Sequence, residues 1–363
     1  MPRRVAIIGT RGYPSYYGGF ETLVRRLVPH LADEGWEVTV YGRRGATVPD
    51  DPACDPRIAR VVTPGVESKS LSTLSYGLTA CLHAARRRPD VVLVMNVANG
   101  YWLPLLAARG IPTVVNVDGI EWKRAKWGRA AKAVFRGGAR LTARFGGTLV
   151  CDSVEIARCW REEFGRTGEF IPYGGSPAAP DPLPDLPRRG YALLVARFVP
   201  ENTVVEFFDA AGELSKDWPV VIVGSSGYGG ELDERARTLA AEHPGVRWLG
   251  HLSDDEKLFA LWHNAGAYFH GHSIGGTNPA LVQAMACGAP VVARDTVYNR
   301  EVLGDAGRFV APDPGSIAAG LRAVLSDPAL QDRLAAAALD RQQQSYTWKL
   351  VLDSYSRTLE AVL

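Results

Sequence analysis

HSIGGTNPALVQAMACGAPVV, residues 272–292, holds a loop, a helix and a strand in one short stretch. Asn278 is an N-cap residue type, and Pro279 fits the first helical position, where its missing N–H is no loss. Apolar residues then run through Met285, Gly288 ends the helix, and PVVA begins a strand. The backbone N–H groups of Gly276, Thr277 and the first helical turn would suit an anion such as a sugar diphosphate. A capped helix before a strand is equally ordinary scaffolding, and this stretch alone leaves both readings open.

Outward from it, the same alternation fills the chain. Upstream in the second half come YALLVA, a helix over 203–214, PVVIVG, a helix over 230–242, VRWLG, a helix over 254–264 and AGAYFHG. The first half reads RVAIIG, a helix over 20–34, EVTVYG, a helix over 73–87, VVLVM, TVVNV and TLVCD. Short β-branched runs separated by helices predict parallel sheets with crossover helices, hence two doubly wound α/β domains. The proline-rich stretch GGSPAAPDPLPDLPRRG (174–190) continues neither element and reads as a connector. The expected layout is a first domain over 1–175, a linker over 176–190, a second domain over 191–345 and a terminal helix over 346–363. That helix carries Trp348, Val351, Leu352, Tyr355, Leu359 and Leu363 on one face.

With 363 residues, two cores of ordinary size are possible. The five cysteines are scattered and odd in number, without CxxC spacing, which disfavours a disulfide framework or a zinc site and fits a reducing cytoplasm. The N-terminal apolar run is short and no long apolar stretch follows, so neither a signal peptide nor a membrane span is expected. Charge is uneven: 25 basic against 16 acidic residues in 1–170, and 16 against 23 afterwards. Much of the basic excess lies in 123–144, KRAKWGRAAKAVFRGGARLTAR, which reads as a basic amphipathic helix. Its face would meet anionic lipid at the inner side of the cell membrane or a phosphate-bearing acceptor; a solvated helix face over the core is the plainer alternative. No nucleic-acid-binding motif accompanies it.

Ligands of open parallel sheets bind beyond the carboxyl ends of the strands. The first such loop, GTRGYPSYYGGFE from Gly9, lacks the G-x-G-x-x-G spacing, and the second strand ends in Tyr41-Gly42-Arg43 without a carboxylate for a ribose diol. A nicotinamide oxidoreductase is therefore disfavoured. There is no D-x-D and no ligand-spaced His/carboxylate cluster, so no metal and no separate cofactor is expected.

PALVQAMACGAPVVA, LLVARFVPENTVVEFFDAA and FIPYGGS together resemble the retaining glycosyltransferases of family 4 over essentially the full chain. GTRGYPSYYGGFETLV, VDGIEWKRAKWG and HSIGGTNPALVQAM more narrowly resemble a bacterial branch with dTDP-rhamnose-dependent rhamnosyltransferases of polysaccharide synthesis. The resemblance implies the GT-B fold, two Rossmann-like domains facing across a cleft, the first binding acceptor and the second a dTDP- or UDP-linked sugar. It implies donor contacts at Gly18, Gly19, Arg197, Asn202, Gly275, Gly276, Thr277, Asn278 and Gln283. Acceptor contacts fall on Tyr17, Glu121, Trp122 and Lys123, and catalytic roles on Asp118, Arg197 and His272. The terminal helix is implied to cross back to the first domain.

Three positions depart from the family pattern. Gly275 and Gln283 stand where two glutamates are usual, and Asn202 stands where a lysine is usual. A neutral amide holds ribose hydroxyls less strongly than a carboxylate, and a deoxyribose asks less of it. Leaving-group charge would fall to Arg197 and backbone amides, and in the implied retaining scheme the donor phosphate takes the acceptor's proton. A catalytically weakened homologue serving as a scaffold, or a nucleotide-sugar epimerase, stand as the alternatives.

Overall fold

The computed structural model describes residues 2–363 except 17, 49, 69, 70, 125, 126, 182, 184 and 228. The chain forms two compact units: 1–173 with 348–363, and 174–347.

The first unit runs β1 (Arg4–Ile8), α1 (Gly19–Asp33), β2 (Glu37–Gly42), β3 (Ala59–Val62), α2 (Ser72–Arg87), β4 (Val91–Met95), α3 (Leu103–Ala107), β5 (Thr113–Asn116), α4 (Arg129–Phe145), β6 (Thr148–Cys151), α5 (Val154–Phe164) and β7 (Glu169–Phe170). Its sheet is wholly parallel in the order β3-β2-β1-β4-β5-β6-β7. The central strand β4, VVLVM, is buried at every residue, as a strand covered on both faces must be. α1 buries Leu23, Val24, Leu27, Val28 and Leu31 on one stripe, and α5 is capped by the Ser153 hydroxyl.

The second unit runs β8 (Ala192–Val195), α6 (Val204–Leu214), β9 (Val220–Val223), α7 (Glu231–Glu242), β10 (Val246–Trp248), α8 (Asp255–Asn264), β11 (Ala267–His270), α9 (Pro279–Ala286), β12 (Val291–Arg294), α10 (Val297–Leu303), β13 (Gly307–Val310), α11 (Pro314–Leu325) and α12 (Pro328–Ser345). Its parallel sheet is ordered β10-β9-β8-β11-β12-β13. Phe207 of α6 stacks on Phe269 of β11 at 5.4 Å in the core of this unit. Residues 176–190, expected as an extended linker, group with this unit.

The last helix, α13 (Trp348–Glu360), belongs to the first unit, where it lies on α1. Ser356 Oγ donates to Glu34 at 2.6 Å, and buried Tyr355 accepts from Asn116 Nδ2 at 2.6 Å, tying the helix to the end of β5. The basic helix expected over 123–144 begins only at Arg129; a 3-10 turn, Glu121–Lys123, precedes it. No helix among the described residues is long and apolar enough to cross a membrane.

Candidate functional site

Strand order reverses at β1/β4 in the first unit and at β8/β11 in the second, and these reversals are where doubly wound sheets open a crevice. In the second unit the loop after β8 carries Arg197 and Asn202, and the loop after β11 carries His272. Asn202 Nδ2 donates to the carbonyl of Arg197 at 2.8 Å, and Asn202 Oδ1 lies 2.6 Å from His272 Nδ1. A carbonyl can only accept, which fixes the amide's orientation. Oδ1 must then accept from His272, so Nδ1 carries a proton and a neutral His272 keeps its lone pair on Nε2. The backbone supports the pair: Ser273 N–H donates to Glu201 at 2.8 Å, and Asn299 Nδ2 donates to the carbonyls of His272 and Arg294 at 2.9 and 2.8 Å. Arg197 itself is exposed and its guanidinium has no partner among the described residues, so its place after a core strand carries no desolvation cost.

The loop before α9 differs in detail from the sequence expectation. Asn278 caps the helix through Ala280 N–H at 2.9 Å. Its carbonyl takes the N–H groups of Leu281 and Val282, and Pro279 has none, so the first turn offers no open donors. The N–H of Gly276 has no partner among the described residues; Thr277 is buried. Gly275 sits at φ +139, a conformation that an L side chain rarely adopts, so a glutamate here would be strained in this loop as it stands. Gln283 is engaged within the unit: Oε1 accepts from Ser176 N–H at 3.0 Å and Nε2 donates to Ser176 O at 2.7 Å. A glutamate could accept the first bond but not donate the second.

In the first unit Asp118 follows β5 with φ +59, held by Asn116 Oδ1, which accepts its N–H at 2.9 Å, and by Asn96 Nδ2 at 3.1 Å. Asn96, at the end of β4, is also left-handed at φ +70; two such residues at adjacent strand ends mark a constrained site. Buried Tyr173 has its phenol pushed well above the ordinary value by burial first and then by the charges of Asp152 and Asp118. Gly18 and Gly19 start α1, and buried Glu21 in its first turn accepts Arg11 N–H at 3.2 Å. Asn96 and Asp152 had no motif to advertise them, and Glu21 lay in the quoted GTRGYPSYYGGFE loop without being singled out.

The other acceptor candidates have partners within the first unit. Glu121 pairs with Arg124 at 2.7 Å and accepts from Trp127 Nε1 at 2.6 Å. Trp122 is buried against Trp160 and Phe164 and donates to Glu163, which also holds Lys123 at 2.7 Å. Tyr17 lies outside the described residues. The eight donor and catalytic candidates from Arg197 to Gln283 thus share the second unit, while Gly18, Gly19, Asp118, Glu121, Trp122 and Lys123 share the first. Burial pushes the Cys81 and Cys151 thiols up to about 12 and the Cys287 thiol up to about 11, which keeps these three protonated and unreactive. Among the described residues no group of three His, Cys, Asp or Glu is placed to hold a metal ion.

Residues 18–174 match a family model described as glycosyl transferase 4-like domain, and residues 184–341 match one described as glycosyl transferases group 1. A curated relative, phosphatidyl-myo-inositol mannosyltransferase of Mycolicibacterium smegmatis, is 35% identical over 222 residues, 57% of this chain and 56% of that protein. The chain therefore matches little more than half the length of this relative. Among solved structures, sucrose-phosphate synthase from Thermosynechococcus elongatus superposes with a TM-score of 0.81 at 19% identity, covering 99% of this chain and 98% of that one. Anabaena HepE in complex with UDP-glucose superposes at 0.75 with 15% identity, covering 99% of each chain. These likenesses establish the GT-B fold of the two Rossmann-like units.

Proposed function

We propose that this chain, whose amino-terminal half matches the glycosyl transferase 4-like model and whose carboxyl-terminal half matches the group 1 model, moves a hexosyl group from a nucleoside-diphosphate sugar to a saccharide, lipid-linked saccharide or natural-product acceptor. The observation that carries this reading is the Arg197–Asn202–His272 arrangement at the strand reversal of the second unit. Departure of a nucleoside diphosphate develops negative charge, which an exposed guanidinium, an open N–H and the α9 dipole would stabilise without a metal ion. His272, with Nδ1 held by Asn202, would present Nε2 to a sugar hydroxyl, or N–H to a phosphoryl oxygen when protonated.

The reaction we propose is retaining, with the departing phosphate taking the acceptor's proton, so no protein base is required. L-rhamnose from a dTDP donor is our first reading of the sugar, supported by GTRGYPSYYGGFETLV and HSIGGTNPALVQAM. A donor with one ribose hydroxyl fewer also asks less of Gln283, already engaged with Ser176. The mannosyltransferase relative favours a mannosyl donor as the second reading. Release of nucleoside diphosphate from dTDP-rhamnose, GDP-mannose and UDP-glucose, with and without EDTA, tests all of this. Turnover undiminished by EDTA supports the reading; turnover of none would move a scaffolding role ahead, and acceptor-independent sugar interconversion would mean an epimerase.

Exposed Arg129, Arg136, Arg140 and Arg144 on α4 support peripheral contact with an anionic cytoplasmic membrane face. Failure to bind phosphatidylglycerol vesicles at low salt would remove that part.

A further inference from the structure

The charge of a departing nucleoside diphosphate exceeds what one guanidinium neutralises, and the Asn202 amide adds none. A second cation stands at the same end of the second unit's sheet. β11 lies between β8 and β12, so Arg197, His272 and Arg294 come at the carboxyl ends of three neighbouring strands. The register puts them nearly level. Phe269 pairs with Leu194 on one side and Val292 on the other, so Arg294 lies two residues beyond that row, and Arg197 and His272 lie three beyond it.

Hydrogen bonds tie Arg294 to both loops of the site. Its Nη1 donates to Thr203 Oγ1 at 3.0 Å, and Thr203 Oγ1 donates to the carbonyl of Gly271 at 2.6 Å. Thr203 follows Asn202 and Gly271 precedes His272, so the guanidinium is braced on the chain neighbours of both partners in the Asn202–His272 bond. The loops meet closely there: a Cβ on Gly271 would overlap the Asn202 carbonyl oxygen. Asn299 fastens the same corner through the carbonyls of His272 and Arg294.

What Arg294 lacks is a counter-ion. It is half-buried and makes no ion pair among the described residues. Asp295, beside it in the chain, is held instead by Arg300 through two hydrogen bonds. Thr203 is neutral, and Arg294 Nε and Nη2 have no hydrogen-bond partner among the described residues. An amide side chain could brace Thr203 equally well, whereas a guanidinium drawn partly out of water is unfavourable until an anion meets it.

We propose that Arg294 is a second diphosphate-binding residue of the donor site, meeting phosphoryl oxygens with Nε and Nη2 while Nη1 stays on Thr203. The inference rests on the reading that the second unit binds a nucleoside-diphosphate sugar, and it names the residue that shares the leaving group's charge with Arg197. The free edge of a guanidinium is a planar fork that suits two phosphoryl oxygens at once.

The test is calorimetric titration of the full chain with dTDP, UDP and GDP over a range of salt concentrations, in wild type, Arg294→Gln, Arg294→Lys and Arg197→Met. Glutamine can still donate to Thr203, so it removes the charge and spares the brace. Arg294→Gln should weaken whichever diphosphate the wild type binds by about tenfold or more and reduce the salt dependence of binding, and Arg294→Lys should recover much of the loss. Arg294→Met takes the place of the glutamine variant if that one does not fold. Wild-type affinity in Arg294→Gln, or a loss with unchanged salt dependence that Arg294→Lys shares in full, would overturn the assignment and leave the donor reading standing. If the wild type binds none of the three diphosphates, the donor reading falls and this one with it. Arg197→Met, run alongside, tests the donor site itself, so the two readings fail distinguishably.

Discussion

At the residue scale, the account turns on Asn202. A lysine there could supply charge but could not accept from His272 Nδ1, whereas the amide bridges Arg197 O and the imidazole in one step. Asn202→Ala should therefore lower kcat by about tenfold or more and shift the kcat–pH profile, because His272 loses its fixed tautomer. A purely structural role would lower stability and leave the profile where it was. His270 gives a second prediction. Burial, with the neighbouring His272 adding to it, holds its ring well below the ordinary value of 6.5, so it stays neutral when folded and takes up a proton when unfolded. Its contribution to stability is then lost as pH falls below about 6.5, with a slope of about 1.4 kcal/mol per pH unit for one proton. Equilibrium unfolding from pH 7 to 5 should show His270→Phe with a shallower decline than wild type; parallel declines would contradict it.

At the scale of elements, the buried runs were easy to read. VVLVM, VVIV and AYFH became β4, β9 and β11 because central parallel strands are apolar on both faces. β3 and β7 were invisible in the sequence: they lie at the sheet edges, mostly exposed, and carry no such run. The site was legible only in part, for a related reason. Arg197, His272 and the 275–278 loop follow strands and can be located by that rule. Their supports cannot, since Asn202 reaches His272 and Gln283 reaches Ser176 across long separations in sequence that leave no periodic trace. Gln283 also changes how its own substitution should behave. Gln283→Glu puts a carboxylate against the Ser176 carbonyl and removes a donor, and chemical denaturation should show the variant less stable by about 1–3 kcal/mol. An unchanged or raised stability would mean that the amide is not clamping this segment.

At the scale of the molecule, two α/β units of the same winding are joined by two passages of chain, since α13 returns to the first unit after the second is complete. The restart of the strand–helix alternation at YALLVA made that division readable, while the prolines of 177–187, read as a connector, lie within the second unit. The proposed assignment of ligands rests on side chains at strand ends: an exposed arginine and a fixed histidine after β8 and β11 in the second unit, and left-handed Asn96 and Asp118 after β4 and β5 in the first. In the proposed reaction the second unit binds a nucleoside-diphosphate sugar through Arg197. The most direct measurement is the unfolding temperature of the full chain with dTDP-rhamnose, GDP-mannose or UDP-glucose, in wild type and in Arg197→Met. At ligand about 100-fold above its dissociation constant, native-state binding adds about 2.7 kcal/mol, enough to raise the transition by several degrees. Such a rise is expected with one of these donors and should be lost in Arg197→Met; a chain that no donor stabilises, or a variant that keeps the whole rise, would rule out donor binding through Arg197.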